Sequence, residues 1–442
     1  MNFLPMSLPD EGRDRKTLLE EMEARRAGDA EWSEGKTWSL VYSAGEDVHE
    51  VRDEAYKKFA SENALNPLAF PSVLGFENEI VGMVAEMMGS EDAVGNVTSG
   101  GTESILCSVY AARERFRDVA DSDVTNPKMV MSETAHPAWQ KAAHYMGLEP
   151  VRTEPRDDWR ADPEAMASEI DDETALVVVS APSYPHGVVD PVEEVAGIAA
   201  KNDVPCHVDA CIGGFVLPFL EDAGYDVPNY DLSVDGVTSI SADPHKYGYT
   251  AKGVSTLLYR DRELRRYQYY AFDGWSGGIY AAPNFQGTRP AGPIAASWAV
   301  MNYIGHDGYV ELVKEKMKAT ERIAEHVAET DELAVVSDPD MCLLAIESTD
   351  ADVNAWTVQR ELSDRGWELE RQQDPRSMHL SVMAQHTTVI DEFLDDLDDA
   401  LKAAKDSDTP EANAPLYGLS GNVEDGDDVT EEVIDMLNGV FV

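Results

Sequence analysis

Positive charge is what this chain has least of. Its 442 residues carry 35 Lys and Arg against 84 Asp and Glu, a formal net charge of −49, and only 14 of the cations are Lys. A surface so acidic repels phosphate backbones and anionic headgroups, which argues against nucleic acid or a membrane surface as partner. Cysteine is almost as scarce: four in a chain this long make no disulfide framework. Cys206, His207 and Cys211 are close in sequence, but an apolar strand pattern runs through them and no metal site is expected. Long apolar runs are missing too. No stretch reaches the roughly 18 residues of a membrane helix, and the first thirty residues lack the apolar core of a signal peptide. The expectation is a cytoplasmic protein with no membrane anchor.

Core material, by contrast, is ample. Apolar residues make up 43% of the chain and aromatics 8%, and the length points to more than one domain. The acid is spread along the chain rather than gathered in one tail. That is the pattern of a folded protein holding its hydration shell in concentrated salt, a halophilic signature.

From about residue 75 to 260 helix-like and strand-like segments alternate. The spacing predicts helices over 76–88, 102–117, 137–146 and 191–201, and strands over 128–132, 175–181, 204–209, 236–241 and 253–259. The run ALVVVSA at 175–181 is apolar and rich in β-branched residues, as in a strand buried on both faces. This is an α/β pattern with a mainly parallel sheet, whose ligands bind beyond the carboxyl ends of the strands. A long helical stretch follows to residue 330, and 333–405 reads as a smaller α+β unit. The expected divisions are an N-terminal segment (1–62), a large domain (63–320), a small C-terminal domain (321–405) and an acidic tail (406–442). The tail holds ten acids and no Lys, Arg or His, with a linker-like start, and its end reads equally as a capped, docked helix at Thr430–Leu437 or as a frayed tail.

Four features fall at the predicted strand ends. Thr98-Ser99-Gly100-Gly101-Thr102-Glu103-Ser104 opens a helix, where glycines and free amides suit a phosphate; a plain turn with Thr102 as N-cap explains it equally well. His136 follows the strand at 128–132. Asp209 ends a buried strand, which is costly for a carboxylate without a strong donor or cation. Lys246 lies in the loop after another strand, a candidate Schiff-base former in a chain poor in Lys. A phosphate cradle, a planar ring, an acid and an amine, in that order along an α/β sheet, are what pyridoxal 5'-phosphate requires.

The stretches NALNPLAFPS, VTSGGTESIL, PSYPHGVVDPVEEV, HVDACIGGF, GVTSISADPHKYGYTAKG and GGIYAAPNFQGTRPAGP are long and distinctive. Through them the chain, from about residue 63 to 405, resembles the sphingosine-1-phosphate lyases, a branch of the group II decarboxylases with the fold-type-I architecture. The resemblance implies that Lys246 forms the Schiff base and shuttles protons, Asp209 pairs with the pyridinium nitrogen and His136 stacks on the ring. It implies further that Gly101, Thr102 and His245 hold the cofactor phosphate, that Cys211 lies near the opposite ring face, and that His186 lies near the substrate. Lys252 matches a cation that meets the substrate phosphate. The loop Trp275–Tyr280 and the turn Thr288–Pro290 would cross a homodimer interface, giving shared active sites. Two departures stand out: Asn66 replaces a His common in the family, and no counterpart of the membrane anchor of the eukaryotic lyases is expected.

Two reactions compete on this reading, Cα–Cβ cleavage of a phosphorylated amino alcohol and decarboxylation of an amino acid. An aminotransferase would need an Arg for the substrate carboxylate, for which Arg371 and Arg376 are candidates. A non-catalytic scaffold that kept the fold is the contrasting class, and the joint presence of Lys246, Asp209 and His136 speaks against it.

The charge generates a prediction of its own. Self-repulsion acts over about 30 Å at 0.01 M salt but only about 3 Å at 1 M. The melting temperature is therefore expected to climb steeply as salt is added, and a flat response to molar salt would contradict the halophilic reading.

Overall fold

The computed structural model describes residues 7–66, 68–120, 124–405, 414–416, 419–423 and 429–440. Seven strands form the main sheet: β1 (Val94–Thr98), β2 (Lys128–Ser132), β3 (Glu149–Thr153), β4 (Thr174–Ser180), β5 (Cys206–Ala210), β6 (Val237–Ala242) and β7 (Ser255–Tyr259). Their spatial order is β1-β7-β6-β5-β4-β2-β3. Strands β2 to β6 pair in parallel, and β7 is antiparallel to both β6 and β1. So β7 alone in this sheet runs against the rest, and the carboxyl ends of the other six share one edge. Every residue of β4 and of β5 is buried, as expected for central strands covered by helices on both faces.

The helices follow their apolar spacing. In Gly101–Val119 the buried side chains Ile105, Val109, Ala112 and Phe116 recur every three or four residues and face the sheet. The helix Ala291–Ala328 passes through residue 320 without a break there; its one interruption is Gly305, at φ 63° and ψ 174°. Beyond it the small antiparallel sheet takes the order β10-β11-β13-β12, from β10 (Leu333–Val335), β11 (Leu343–Ser348), β12 (Glu370–Gln373) and β13 (Arg376–Ser381). An exposed hairpin, β8 (Tyr270–Phe272) with β9 (Tyr280–Ala282), stands apart from both sheets.

The N-terminal segment does not stand alone. Thr37 bridges Glu368 in parallel, the Trp38 amide donates to the Glu368 carbonyl (2.9 Å), and the Ser381 amide donates to the Trp38 carbonyl (2.8 Å). Trp38 is fully buried among Trp367, His386 and Phe393. In the tail, the helix Val429–Val440 covers the helical alternative, with Val433 and Leu437 half-buried and Ile434 exposed. Residues 406–413, most of the expected linker, lie outside the described residues. Among the described residues no helix is long and apolar enough to cross a membrane.

Several histidines are locked neutral in this core. His386 accepts from the Met383 amide at Nδ1 (3.0 Å), and its Nε2–H points to the Thr37 carbonyl (3.2 Å). Burial pulls its pKa down to about 3, and those of His207 and His379 down to about 4. Unfolded His titrates near about 6.5. Between these values the unfolded chain binds protons that the native state refuses. Stability is thus full above the unfolded pKa and is lost as pH falls below it, at up to about 1.4 kcal/mol per pH unit for each His. In molar salt, the melting temperature is expected to drop between about pH 7 and pH 5, and His386→Gln to flatten the drop. Parallel curves for parent and variant would contradict this.

Candidate active site

The loops leaving the shared carboxyl edge enclose a cavity of about 420 Å³. β1 supplies the turn at Gly100 and Gly101, β2 supplies His136, β5 supplies Asp209 and Cys211, and β6 supplies His245 and Lys246. Each strand end therefore delivers one of the groups that the sequence spreads over 150 positions.

Asp209 closes a strand buried on both faces, where a carboxylate needs donors. It has them: Trp139 Nε1–H donates to Oδ2 at 2.8 Å and the Cys211 amide to Oδ1 at 3.1 Å. Burial pushes the carboxyl pKa up, but His136, the Cys211 contact, His207 and Trp139 together outweigh it and hold it below its usual value. Trp139 is itself held by His207, which meets it edge-on at 5.0 Å. The His207 nitrogens lie 2.8 Å from Ser239 Oγ and 3.1 Å from Ser241 Oγ.

Lys246 follows β6 in a tight turn. Gly248 is required there, because a Cβ would sit 2.4 Å from the Pro244 carbonyl oxygen. Tyr309 donates to the Gly248 carbonyl (3.0 Å) and Tyr247 to the Val382 carbonyl (3.1 Å), which pins the turn to the long helix and to the small unit. Lys246 Nζ lies 3.1 Å from Asp243 Oδ2. Burial works against the ammonium, but the Asp243 charge outweighs it and raises the pKa. Beyond that ion pair the buried Asp243 oxygens make no hydrogen bond.

At the opposite end, the helix Gly101–Val119 begins with Gly100 as its N-cap residue and no side-chain cap, so Thr102 does not cap it. Its first amides keep their donors for a ligand. A Cβ on Gly101 would come within 2.8 Å of Asp243 Oδ2 and 2.9 Å of Cys211 Sγ, so only glycine leaves this corner open. His245 stands close by, its Cε1 being 3.3 Å from where a Cβ on Gly100 would lie. His136 accepts from the Ala138 amide at Nδ1 (3.1 Å); burial lowers its pKa, against an upward pull from Asp209. An uncapped helix start, a saturated acid at the end of a strand, an orphaned carboxylate beside an amine and a half-buried imidazole ring fit the phosphate, ring nitrogen, aldehyde and ring face of pyridoxal phosphate.

Seven of the nine expected residues line this cavity, and two do not. His186 is buried away from the wall, stacked on Trp159 at 4.2 Å and 9°, and burial brings its pKa down to about 4. Lys252 is exposed, but its ammonium is tucked back, 3.1 Å from the His245 carbonyl and 4.8 Å from the centre of the Tyr42 ring. Loss of water around Nζ and the nearby Lys246 charge bring its pKa down to about 8. Sequence reasoning missed four groups: Trp139, Asp243, Glu103 and Tyr184. Glu103, Asp243 and Tyr184 lie inside quoted motifs, whereas nothing in the sequence marks Trp139.

The pyridoxal-dependent decarboxylase conserved domain matches residues 1–347. Fold, cavity and match together define the class: a pyridoxal-phosphate-dependent carbon–carbon lyase of fold type I. Over 435 residues, 96% of this chain and 79% of the relative, the chain is 39% identical to the sphingosine-1-phosphate lyase of Arabidopsis thaliana. Against the rat enzyme, sphingosine-1-phosphate lyase 1, it is 40% identical over 88% of this chain and 69% of the relative. The solved sphingosine-1-phosphate lyase of Burkholderia pseudomallei superposes with a TM-score of 0.87 at 33% identity, covering 91% of this chain and 94% of that one. The chain belongs to the sphingosine-1-phosphate lyase family.

If Trp139 sustains the Asp209 charge, Trp139→Phe is expected to raise the carboxyl pKa and weaken cofactor binding about tenfold, the worth of one charge-assisted hydrogen bond. A visible-absorbance titration with pyridoxal phosphate measures this, and an unchanged dissociation constant would contradict it.

Proposed function

We propose that the protein cleaves the Cα–Cβ bond of a phosphorylated amino alcohol, releasing an aldehyde and an amine phosphate. The observation that carries this reading is the charge pattern of the cavity. Among the described residues, its lining holds the acids Glu103, Asp209 and Asp243, a single Lys in Lys246, and no Arg. That lining offers no Arg to pair with an α-carboxylate, and the substrate phosphate is assigned to Lys252, which lies outside the lining. The Arg residues an aminotransferase would use are engaged elsewhere: Arg371 donates to Gln359 Oε1 (2.5 Å), and Arg376 lies 4.8 Å from the centre of the Trp356 ring.

In this reading the Gly100–Thr102 amides and His245 anchor the cofactor phosphate, and His136 covers one ring face with Cys211 on the other side. Bound pyridoxal phosphate supplies the electron sink for the bond that breaks. Asp209, kept ionised by Trp139 and the Cys211 amide, holds a proton on the ring nitrogen. Lys246 would be the amine that holds the cofactor, with Asp243 positioned to stabilise its ammonium. Lys246 would also be placed to carry a proton to the substrate carbon. Lys252 receives the substrate phosphate, whose charge favours the ammonium form that its surroundings disfavour. His186 acts indirectly, through the loop it anchors against Trp159.

The cofactor unit is placed at residues 63–320 and the small unit at 321–405, with the strand-like residues Thr37 and Trp38 added to the latter. A homodimer is supported by the exposed apolar hairpin, in which Trp275 is 59% and Ile279 80% exposed. A cytoplasmic, salt-adapted setting follows from the charge of the chain.

The test is product analysis with a panel of phosphoamino alcohols and amino acids. Aldehyde release from the former is expected. Lys252→Ala should slow that release roughly ten- to a hundredfold, since a charge-assisted contact contributes about 1.5–3 kcal/mol, and leave the cofactor spectrum unchanged. Carbon dioxide from an amino acid, with no aldehyde from any phosphoamino alcohol, would sink this reading in favour of a decarboxylase.

A further inference from the structure

The long helix Ala291–Ala328 carries a lysine in its core stripe. Lys316 is fully buried in line with Val313, Met317 and Thr320, the spacing of a face turned to the interior. Its ammonium lies under the Lys246 turn. Nζ is 3.4 Å from Tyr249 Oη, 4.4 Å from the centre of the Tyr247 ring and 5.5 Å from that of the Tyr249 ring. Among the described residues no carboxylate pairs with it, and the other titratable group that acts on it is the buried Cys342 thiol. Burial brings its pKa down to about 8, so it is still an ammonium at neutral pH.

An ammonium without an acid is costly in a core, and a Met of similar reach would fill the space without that cost. What the ammonium does here is hold two rings. Tyr247 and Tyr249 are the first and third residues after Lys246, and a cation on a ring face and at a phenol oxygen is attracted to both. Tyr249 needs holding, because its φ of 60° lies in the left-handed region that bulky side chains rarely adopt. That conformation closes the turn: the Tyr249 amide donates to the Lys246 carbonyl (2.8 Å) and the Thr250 amide to the Pro244 carbonyl (3.2 Å). Such a backbone persists only where its surroundings over-determine it. Lys316 grips both tyrosines at once.

We propose that Lys316 is a positioning residue for Lys246: its ammonium, seated against Tyr247 and Tyr249, locks the strained turn and so sets where the Lys246 amine stands beside Asp243. The inference rests on the reading of Lys246 as the amine that holds the cofactor, and deepens it. Lys316 is not part of the cavity lining, so it acts only through the turn. Stability and geometry are therefore opposed at this position. Removing the charge should relieve the fold and loosen the turn.

The experiment compares the full chain with Lys316→Met and Tyr249→Phe, each freed of cofactor and held in molar salt. Three quantities are followed: the melting temperature, the affinity for pyridoxine 5'-phosphate, which lacks the aldehyde, and the rate at which added pyridoxal phosphate becomes trappable by borohydride on Lys246. Lys316→Met is expected to melt no lower than the parent and to bind pyridoxine phosphate within about twofold of it. Attachment of pyridoxal phosphate should be about tenfold slower, the effect of a misplaced reacting group. Tyr249→Phe keeps the ring but loses the oxygen that Nζ meets, and should slow attachment about threefold. Attachment at the parent rate in either variant overturns the positioning role and leaves Lys246 as the point of attachment. A lower melting temperature or loss of the fold in Lys316→Met, or an equal loss in pyridoxine phosphate binding, overturns it in favour of a packing role. A parent that is never trapped on Lys246 overturns both readings together.

Discussion

A charged carboxylate at the end of a fully buried strand is the constraint on which the site depends. Asp209 keeps its charge because His136, the Cys211 contact, His207 and Trp139 together outweigh the cost of burial, and of these Trp139 and the Cys211 amide donate hydrogen bonds to it. Trp139 keeps its place because His207 stands against it, and His207 is in turn held by serines from β6. Parallel pairing of β5 with β6 sets Asp209 opposite Ser241, and the carboxyl end of β6 leads directly into Asp243 and Lys246. The register of one strand pair therefore fixes the spacing between acid and amine, and the central packing of the sheet serves the chemistry at its edge.

Much of this was legible in the amino-acid pattern, for physical reasons. The run at 175–181 reads as a buried strand because β-branched residues without alternation suit a strand covered on both faces, and β4 occupies 174–180. Of the seven expected residues that line the cavity, the Gly101 turn, His136, the strand-end Asp209 and the loop Lys246 stand out in the residues themselves, whereas the roles of Thr102, Cys211 and His245 come from the family resemblance. Other features left no such trace. Periodicity has no direction, so the reversal of β7 cannot be read from it. Thr37 and Trp38 pair with residues more than 300 positions away, and no local preference encodes that partnership. Within PSYPHG the family resemblance points to His186, yet Tyr184 lines the cavity; the choice is made by the small sheet, which grips the loop from β12 and β13.

The two units thus divide the labour. The parallel sheet holds the groups suited to the cofactor, and the small sheet, extended by the backbone bridge at Thr37 and Trp38, shapes the remaining wall. The Lys246 turn is tied to both, through Tyr309 on the long helix and through Tyr247 to β13's neighbour Val382. Motion of the small unit would be felt at the Lys246 turn and at Tyr184 together.

The most direct test of this account is to reduce the holoenzyme with borohydride, digest it and locate the pyridoxyl group by mass spectrometry. The label is expected on the peptide that contains Lys246 and to be absent from Lys246→Ala, which should still bind the cofactor reversibly through the Gly101 corner and Asp209. A label on Lys252, Lys316 or any other Lys, or a variant that is still trapped on reduction, would contradict it.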